Sequence, residues 1–251
     1  MFSFNQGKRG NRPIASLKAR KGITPIYLGG DYPCLDVPKG GSVTARFNPE
    51  KRVTMFIAGA QGCGKSFFIA DILKQLRKDK PDRPIILFTG LDEKDKNFAG
   101  LPIKLANLDR ITEFTIEGLR FNGRGSICVF DDIDRIRDSK KLKAVHDLAL
   151  EILSNGRDHK TQSGKADIDI IVSNHEINDY RRTKYYLSDS EYVVLFPQAT
   201  TYQQMDIILK KIGVDSKIAE SIKKSPSRNV IIHKNYPLYY ISSHKISQLR
   251  E

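Results

Sequence analysis

The run Gly59-Ala60-Gln61-Gly62-Cys63-Gly64-Lys65-Ser66 is a complete G-x-x-x-x-G-K-[ST] string. Its chemistry is phosphate binding. Glycines let a loop curl with its N–H groups pointing inward, and a helix start adds partial positive charge. Lys65 then reaches the β- and γ-phosphates, and the Ser66 hydroxyl ligands Mg²⁺. ATP and Mg²⁺ are the expected cofactors. A second group is Asp131-Asp132, which follows the apolar run Ile127-Cys128-Val129-Phe130. Asp131 is placed to hold the metal, through water, opposite Ser66. Asp132 takes the place of the carboxylate that polarises attacking water, with capping of the next element as the alternative. Asn174 ends another apolar run, where an amide can donate to phosphate and accept from water. Arg157, in Ser154-Asn155-Gly156-Arg157-Asp158-His159, can stabilise a developing phosphoryl charge on a neighbouring subunit. Arg181 and Arg182 compete for that role. The guanine-reading N-K-x-D string is absent; the nearest text is Asn174-His175-Glu176-Ile177, which argues against GTP. His159 and His175 form no zinc spacing with cysteine.

These residues need a scaffold that brings separate segments to one edge. Val53 to Ala58 reads as a strand, and the residues after Ser66 read as a helix with Phe68, Ile69, Ile72, Leu73 and Leu76 on one face. Short buried strands are expected at Ile85 to Thr89, Ser126 to Phe130, Ile168 to Ser173 and Tyr192 to Phe196. Helices are expected over Lys140 to Ser154, Tyr202 to Ile212 and Asp215 to Lys224. Val230 to His233 and Leu238 to Ile241 read as a terminal hairpin. The alternation predicts an α/β fold with a mostly parallel central sheet flanked by helices and a C-terminal β-hairpin. In such a sheet ligands bind beyond the carboxyl ends of the strands, where the glycine loop, Asp131/Asp132 and Asn174 all fall. One strand–helix excursion, Ile85 to about Leu119, separates the glycine loop from Asp131. This favours the additional-strand ATPase type over the GTPase and nucleotide-kinase types.

Composition bounds the class. The chain has 251 residues and a net charge of +13, which favours a polyanionic partner such as nucleic acid. Hydrophobic residues make up 39%, enough for a buried core, and no apolar run reaches membrane-spanning length. No signal peptide is expected, and the cysteine pattern suits a reducing compartment. Residues 1–24 hold Lys8, Arg9, Arg12, Lys18, Arg20 and Lys21, with no acid before Asp31. They read as a basic arm with little secondary structure. The domain reading is therefore residues 1–48 as arm and lead-in, and 49–251 as a P-loop ATPase domain that includes the C-terminal helices and hairpin.

FIAGAQGCGKS, SICVFDD, NGRDH and IIVSNHEIN, in that order, resemble the viral genome-packaging ATPases of the FtsK/HerA-like superfamily. The tail, LSDSEYVVLFPQATTYQQMDIILKKIGVD followed by RNVIIHKNYPLYYI, is similar to the short packaging ATPases of virophages, polinton-like viruses and nucleocytoplasmic large DNA viruses. The resemblance spans roughly Lys51 to Ile241. It implies an ATP-driven homo-oligomeric ring of about five or six subunits. The ring would move double-stranded DNA into a preformed capsid, docked at a capsid or portal vertex. It would work in host cytoplasm or a viral factory, with association with the virion as a further expectation and no membrane.

On this chain the resemblance makes Lys65 and Ser66 the phosphate and Mg²⁺ residues and Asp131 the metal residue. Asp132 becomes the catalytic carboxylate, where many relatives carry Glu, Asn174 the sensor and Arg157 the trans finger. Lys94, Lys96, Arg120 and Arg124 are candidate pore residues for phosphate contacts. The alternatives are another DNA-dependent P-loop ATPase, serving plasmid mobilisation or replication, and a nucleotide kinase.

Overall fold

The computed structural model describes residues 1–4, 12–20, 22–91, 93–158, 166–175 and 180–249, with backbone alone at 180–182. The described chain divides into two compact units, Pro49–Ser190 and a second made of Met1–Asn48 with Glu191–Glu251.

In Pro49–Ser190, strands Thr54–Ala58, Ile85–Phe88, Ile127–Phe130 and Asp169–Asn174 are buried at every residue. Burial on both faces is why each reads as a continuous apolar run rather than an alternating one. Their order is Thr54–Ala58, Asp169–Asn174, Ile127–Phe130, Ile85–Phe88 and then Ile103–Leu105, and every pairing is parallel. The strand intervening between the phosphate-loop strand and the Asp131 strand is thus Asp169–Asn174. The excursion that comes earlier in sequence, Ile85–Phe88, lies on the far side of the Asp131 strand. The additional-strand architecture is present, and pairing in space rather than order in sequence decides which strand supplies it.

Helix Lys65–Asp79 buries Phe68, Ile69, Ile72, Leu73 and Leu76, the face expected from spacing. Helix Ser139–Asn155 starts on Asp138, whose carboxylate accepts from the N–H groups of Lys140 and Lys141 at 2.8 and 3.1 Å. It buries Val145, His146, Leu148, Ala149, Ile152 and Leu153. His146 sits in that face because its Nδ1 meets the Tyr186 hydroxyl at 2.9 Å. Tyr186, on helix Tyr180–Asp189, stacks on Phe56 with centroids 5.9 Å apart. Phe88 and Phe130 stack at 4.5 Å, joining neighbouring strands just before the edge that carries Asp131.

The amino edge of this sheet holds a buried charge cluster. Asp169, with a fully buried side chain, accepts from Lys80 Nζ at 2.8 Å, Arg83 Nη1 at 3.0 Å and the Val53 N–H at 2.7 Å. Arg52 Nε donates to Ile168 O at 2.6 Å, and its Nη1 to Leu153 O at 3.0 Å. Burial lowers the Arg52 guanidinium to about 10.

In the second unit the N-terminal residues form strands where the sequence predicts an arm with little secondary structure. Phe2–Ser3, Gly22–Leu28, Ala15–Ala19 and Ser42–Ala45 make an antiparallel four-stranded sheet in that order. Gly22 and Pro25 disguise the strand, yet Ala15 and Ile26 pair and are buried. Lys18 is exposed on the other face. The expected hairpin, Val230–His233 with Tyr239–Ser242, is present and antiparallel. It is extended by Tyr192–Leu195 on one side and by Lys245–Gln248 and Cys34–Asp36 on the other. Residues after Ser190, attached to the ATPase domain in the sequence reading, therefore share a compact unit with residues 1–48. No described helix is long and apolar enough to cross a membrane.

Candidate active site

The loop after Thr54–Ala58 turns on Gly62 and Gly64, at φ 76° and 103°, a backbone region that side chains with Cβ rarely enter. Gly64 is also the residue before helix Lys65–Asp79, so the loop N–H groups and the helix start face the same point. Lys65 is 4% exposed, and its Nζ donates to Gly59 O at 2.8 Å and Ala60 O at 3.0 Å. The ammonium is folded back across the mouth of its own loop. Burial pushes it below its ordinary value.

Ser66 Oγ donates to Asp131 Oδ2 at 2.9 Å, and Ser173 Oγ donates to Asp131 Oδ1. Asp131 is 3% exposed, and burial pushes its carboxyl up against the opposing pull of those two hydroxyls. A divalent cation beside it would hold it ionised. Asp132 follows in the left-handed region at φ 52°, the residue before the 3₁₀ turn Ile133–Arg135. Its side chain therefore departs in a different direction from that of Asp131. His175 Nε2 contacts Asp132 Oδ1, and this hydrogen bond holds the Asp132 carboxyl below its usual range. The imidazole's other nitrogen, Nδ1, meets Lys65 Nζ at 2.8 Å. Asn174 is 5% exposed, pairs in register with Ala58, and its carbonyl accepts from Gly59 N at 3.4 Å.

The carboxyl edge thus brings together Gly59 to Ser66, Asp131, Asp132 and Asn174, as their strand-end positions require. Ser173, His175 and Gly90 belong to the same arrangement and were not singled out by the sequence reading. His175 had a signal, being the polar residue directly beyond a strand end. Gly90 lies two residues beyond the neighbouring strand Ile85–Phe88, and its N–H donates to Asp132 O at 3.4 Å. A Cβ there would lie 2.7 Å from Ile136 N and 2.8 Å from Arg135 C. Both are backbone atoms, so Gly90→Ala is expected to displace the loop that begins at Asp132. The expected destabilisation is about 1–3 kcal/mol in urea denaturation.

Arg157 is not at this edge. Ile168 N donates to Gly156 O, which sets Arg157 at the amino end of strand Asp169–Asn174. That strand spans six residues, so its two ends are roughly 20 Å apart. Arg157 is exposed, and its carbonyl accepts from Arg120 Nη2 at 3.1 Å. The side chains of Arg181 and Arg182, and all of His159, lie outside the described residues. The four candidate pore residues do not converge. Lys94 and Lys96 follow the carboxyl end of Ile85–Phe88. Arg120, hydrogen-bonded to Ala166 O at 3.2 Å, and Arg124, paired with Asp82, lie at the amino edge.

A nucleoside triphosphate with Mg²⁺ fits the residues present. A Cβ at Gly62 would meet no atom within 4 Å, so the loop is open where phosphate oxygens would approach. Ser66 and Asp131 form the adjacent hydroxyl–carboxylate pair that Mg²⁺ takes alongside phosphates and water. Among the described residues no group of three or more His, Cys, Asp or Glu could hold a metal by itself.

No protein-family model matches the sequence. Protein V3 of the Sputnik virophage, itself uncharacterised, is 29% identical over 252 residues, 95% of this chain and 96% of that protein. In three dimensions the chain is similar to the genome packaging NTPase B204 from Sulfolobus turreted icosahedral virus 2, solved in complex with AMPPCP. The TM-score is 0.51 at 14% identity, over 80% of this chain and 98% of B204. It is similar to the same degree, TM-score 0.51 at 12% identity, to the cytoplasmic domain of the Thermomonospora curvata type VII secretion ATPase EccC. That match covers 95% of this chain and 29% of the EccC chain. The chain therefore has the fold of the P-loop ATPases and, over nearly its whole length, a homologue in the Sputnik virophage.

Proposed function

We propose that the protein is an ATP-hydrolysing motor that moves double-stranded viral DNA into a preformed capsid. The observation that carries the ATPase part is the meeting of Lys65, the Ser66–Asp131 pair and Asp132 at one strand edge. The net charge of +13, the virophage homologue and the packaging NTPase among its fold neighbours support the DNA part.

In this reading the P-loop N–H groups and Lys65 bind the β- and γ-phosphate oxygens. Ser66 and Asp131 would hold Mg²⁺, which when bound supplies neutralising positive charge to the phosphates. Asp132, held as a carboxylate, orients and polarises the attacking water. Asn174, beside Ala58 at the strand end, senses the γ-phosphate. Arg157, exposed at the far edge of the sheet, cannot serve its own subunit's P-loop, and we assign it to a neighbour's site in a ring of about five or six subunits. Duplex DNA and a capsid or portal vertex are the partners, in host cytoplasm or a viral factory.

Steady-state hydrolysis with and without long duplex DNA, at two salt concentrations, tests this. DNA is expected to stimulate turnover several-fold at low salt. High salt should abolish the stimulation, because contacts to phosphates release counterions. Hydrolysis indifferent to DNA would remove the motor reading. Transfer of phosphate to a nucleoside monophosphate would identify a kinase instead.

A further inference from the structure

His175 touches both functional poles of the site, and no role assigned above accounts for it. Its contacts fix its chemistry. The Lys65 ammonium has only donors, so His175 Nδ1, 2.8 Å away, must accept. In a neutral ring the proton is then on Nε2, which faces Asp132 Oδ1 and donates to it. The order is Lys65 N–H to Nδ1, then Nε2–H to the Asp132 carboxylate. The backbone reinforces it: Gly90 N donates to Asp132 O, and His175 N approaches Asp134 Oδ2 at 3.5 Å. The His175 and Asp132 side chains are 20% and 14% exposed, so little water competes for these bonds.

Both ends of this chain of hydrogen bonds are wanted elsewhere. Lys65 is the only side-chain cation contacting the loop carbonyls of Gly59 and Ala60 among the described hydrogen bonds, and the P-loop reading sends it to phosphate. All three Lys65 N–H donors are in use, on Gly59 O, Ala60 O and Nδ1, so reaching phosphate means giving up one of these contacts. Asp132 has an unusual backbone conformation and a short side chain, and it needs a fixed direction to orient water.

We propose that His175 is a positioning residue with two separable holds. Its Nε2–H aims the Asp132 carboxylate, and its Nδ1 competes with the nucleotide's phosphates for the Lys65 ammonium. Nucleotide entry therefore releases one hold and keeps the other. This rests on the P-loop ATPase reading of the same edge.

Asn and Gln separate the two holds, since an Asn amide oxygen takes the place of Nδ1 and a Gln amide N–H₂ takes the place of Nε2. The full chain and its His175→Ala, His175→Asn and His175→Gln variants would be titrated with a fluorescent non-hydrolysable ATP analogue and Mg²⁺. Their kcat and KM for ATP would be measured beside thermal melting curves. His175→Ala and His175→Gln are expected to bind the analogue about tenfold more tightly, the effect of removing one charge-assisted competing bond. His175→Asn should bind as wild type does. For kcat the order changes: His175→Gln should stay within about twofold of wild type, while His175→Ala and His175→Asn fall by about tenfold or more.

Nitrogen NMR of the nucleotide-free wild type provides a readout independent of activity. The His175 ring is expected as the Nε2–H tautomer, with Nδ1 losing its hydrogen bond when the analogue is added. An Nδ1–H tautomer overturns the proposal. So does identical behaviour of the folded Asn and Gln variants, or an unchanged affinity in all three. If wild type binds the analogue and hydrolyses nothing, the ATPase reading fails by itself. The affinity order then decides the Lys65 hold and the Nε2 signal the Asp132 hold.

Discussion

Lys65→Ala is expected to reduce ATP hydrolysis by about a thousandfold, to the level of the background. Lys65 is the cation at the mouth of the loop, nearly buried, and its ammonium already lies against the loop carbonyls. No other described lysine or arginine shares those contacts. The helix it begins has its apolar face elsewhere, on Phe68, Ile69, Ile72, Leu73 and Leu76, and the variant should fold.

The same variant tests the assignment of Arg157. Arg157→Ala is expected to be nearly as inactive as Lys65→Ala. An equal mixture of the two should regain activity, because about a quarter of the inter-subunit sites then combine an intact Lys65 with a neighbour's intact Arg157. Arg157 lies at the amino end of a strand whose carboxyl end carries Asn174, and this separation is why mixing should work. A mixture no more active than its components would remove Arg157 from the site.

Asp169→Ala is expected to be the most destabilising single change, by about 3–5 kcal/mol in urea denaturation. Asp169 is the common acceptor for Lys80 and Arg83, whose side chains are themselves buried, and for the Val53 N–H at the start of the P-loop strand. Removing the carboxylate leaves two cations and a backbone donor without it in a site that water scarcely reaches. Burial already depresses the Lys80 ammonium, and Asp169 is the largest influence opposing that shift. Lys80→Met in the Asp169→Ala background should recover part of the loss, since one uncompensated charge is then gone. A loss below about 1 kcal/mol would mean that the cluster does not hold the amino edge together.

Much of the site was legible because its parts sit at strand ends. The apolar runs ending at Ala58, Phe130 and Asn174 are buried parallel strands, and such strands align their carboxyl ends along one edge whatever their order. Gly59 to Ser66, Asp131 and Asn174 could therefore be assigned to a common edge from type and position. The helix face from Phe68 to Leu76 was legible for a similar reason: its period of 3.6 is local and unaffected by what it packs against.

What the linear text does not contain is which strands become neighbours and which polar groups then meet. Asp169–Asn174 lies between the P-loop strand and the Asp131 strand, and from this follow the Ser173–Asp131 bond and the place of His175 between Lys65 and Asp132. Those contacts span 42, 110 and 43 residues of sequence, beyond the reach of any local pattern. The N-terminal strands were hidden for another reason. Gly22 and Pro25 look like breaks, and the basic residues like a solvated arm, until Ala15 pairs with Ile26 and both leave water. Short-range periodicity and strand-end chemistry act within a few residues and are carried by the sequence. Strand order, and with it every hydrogen bond between distant segments, is decided only when the apolar faces pack.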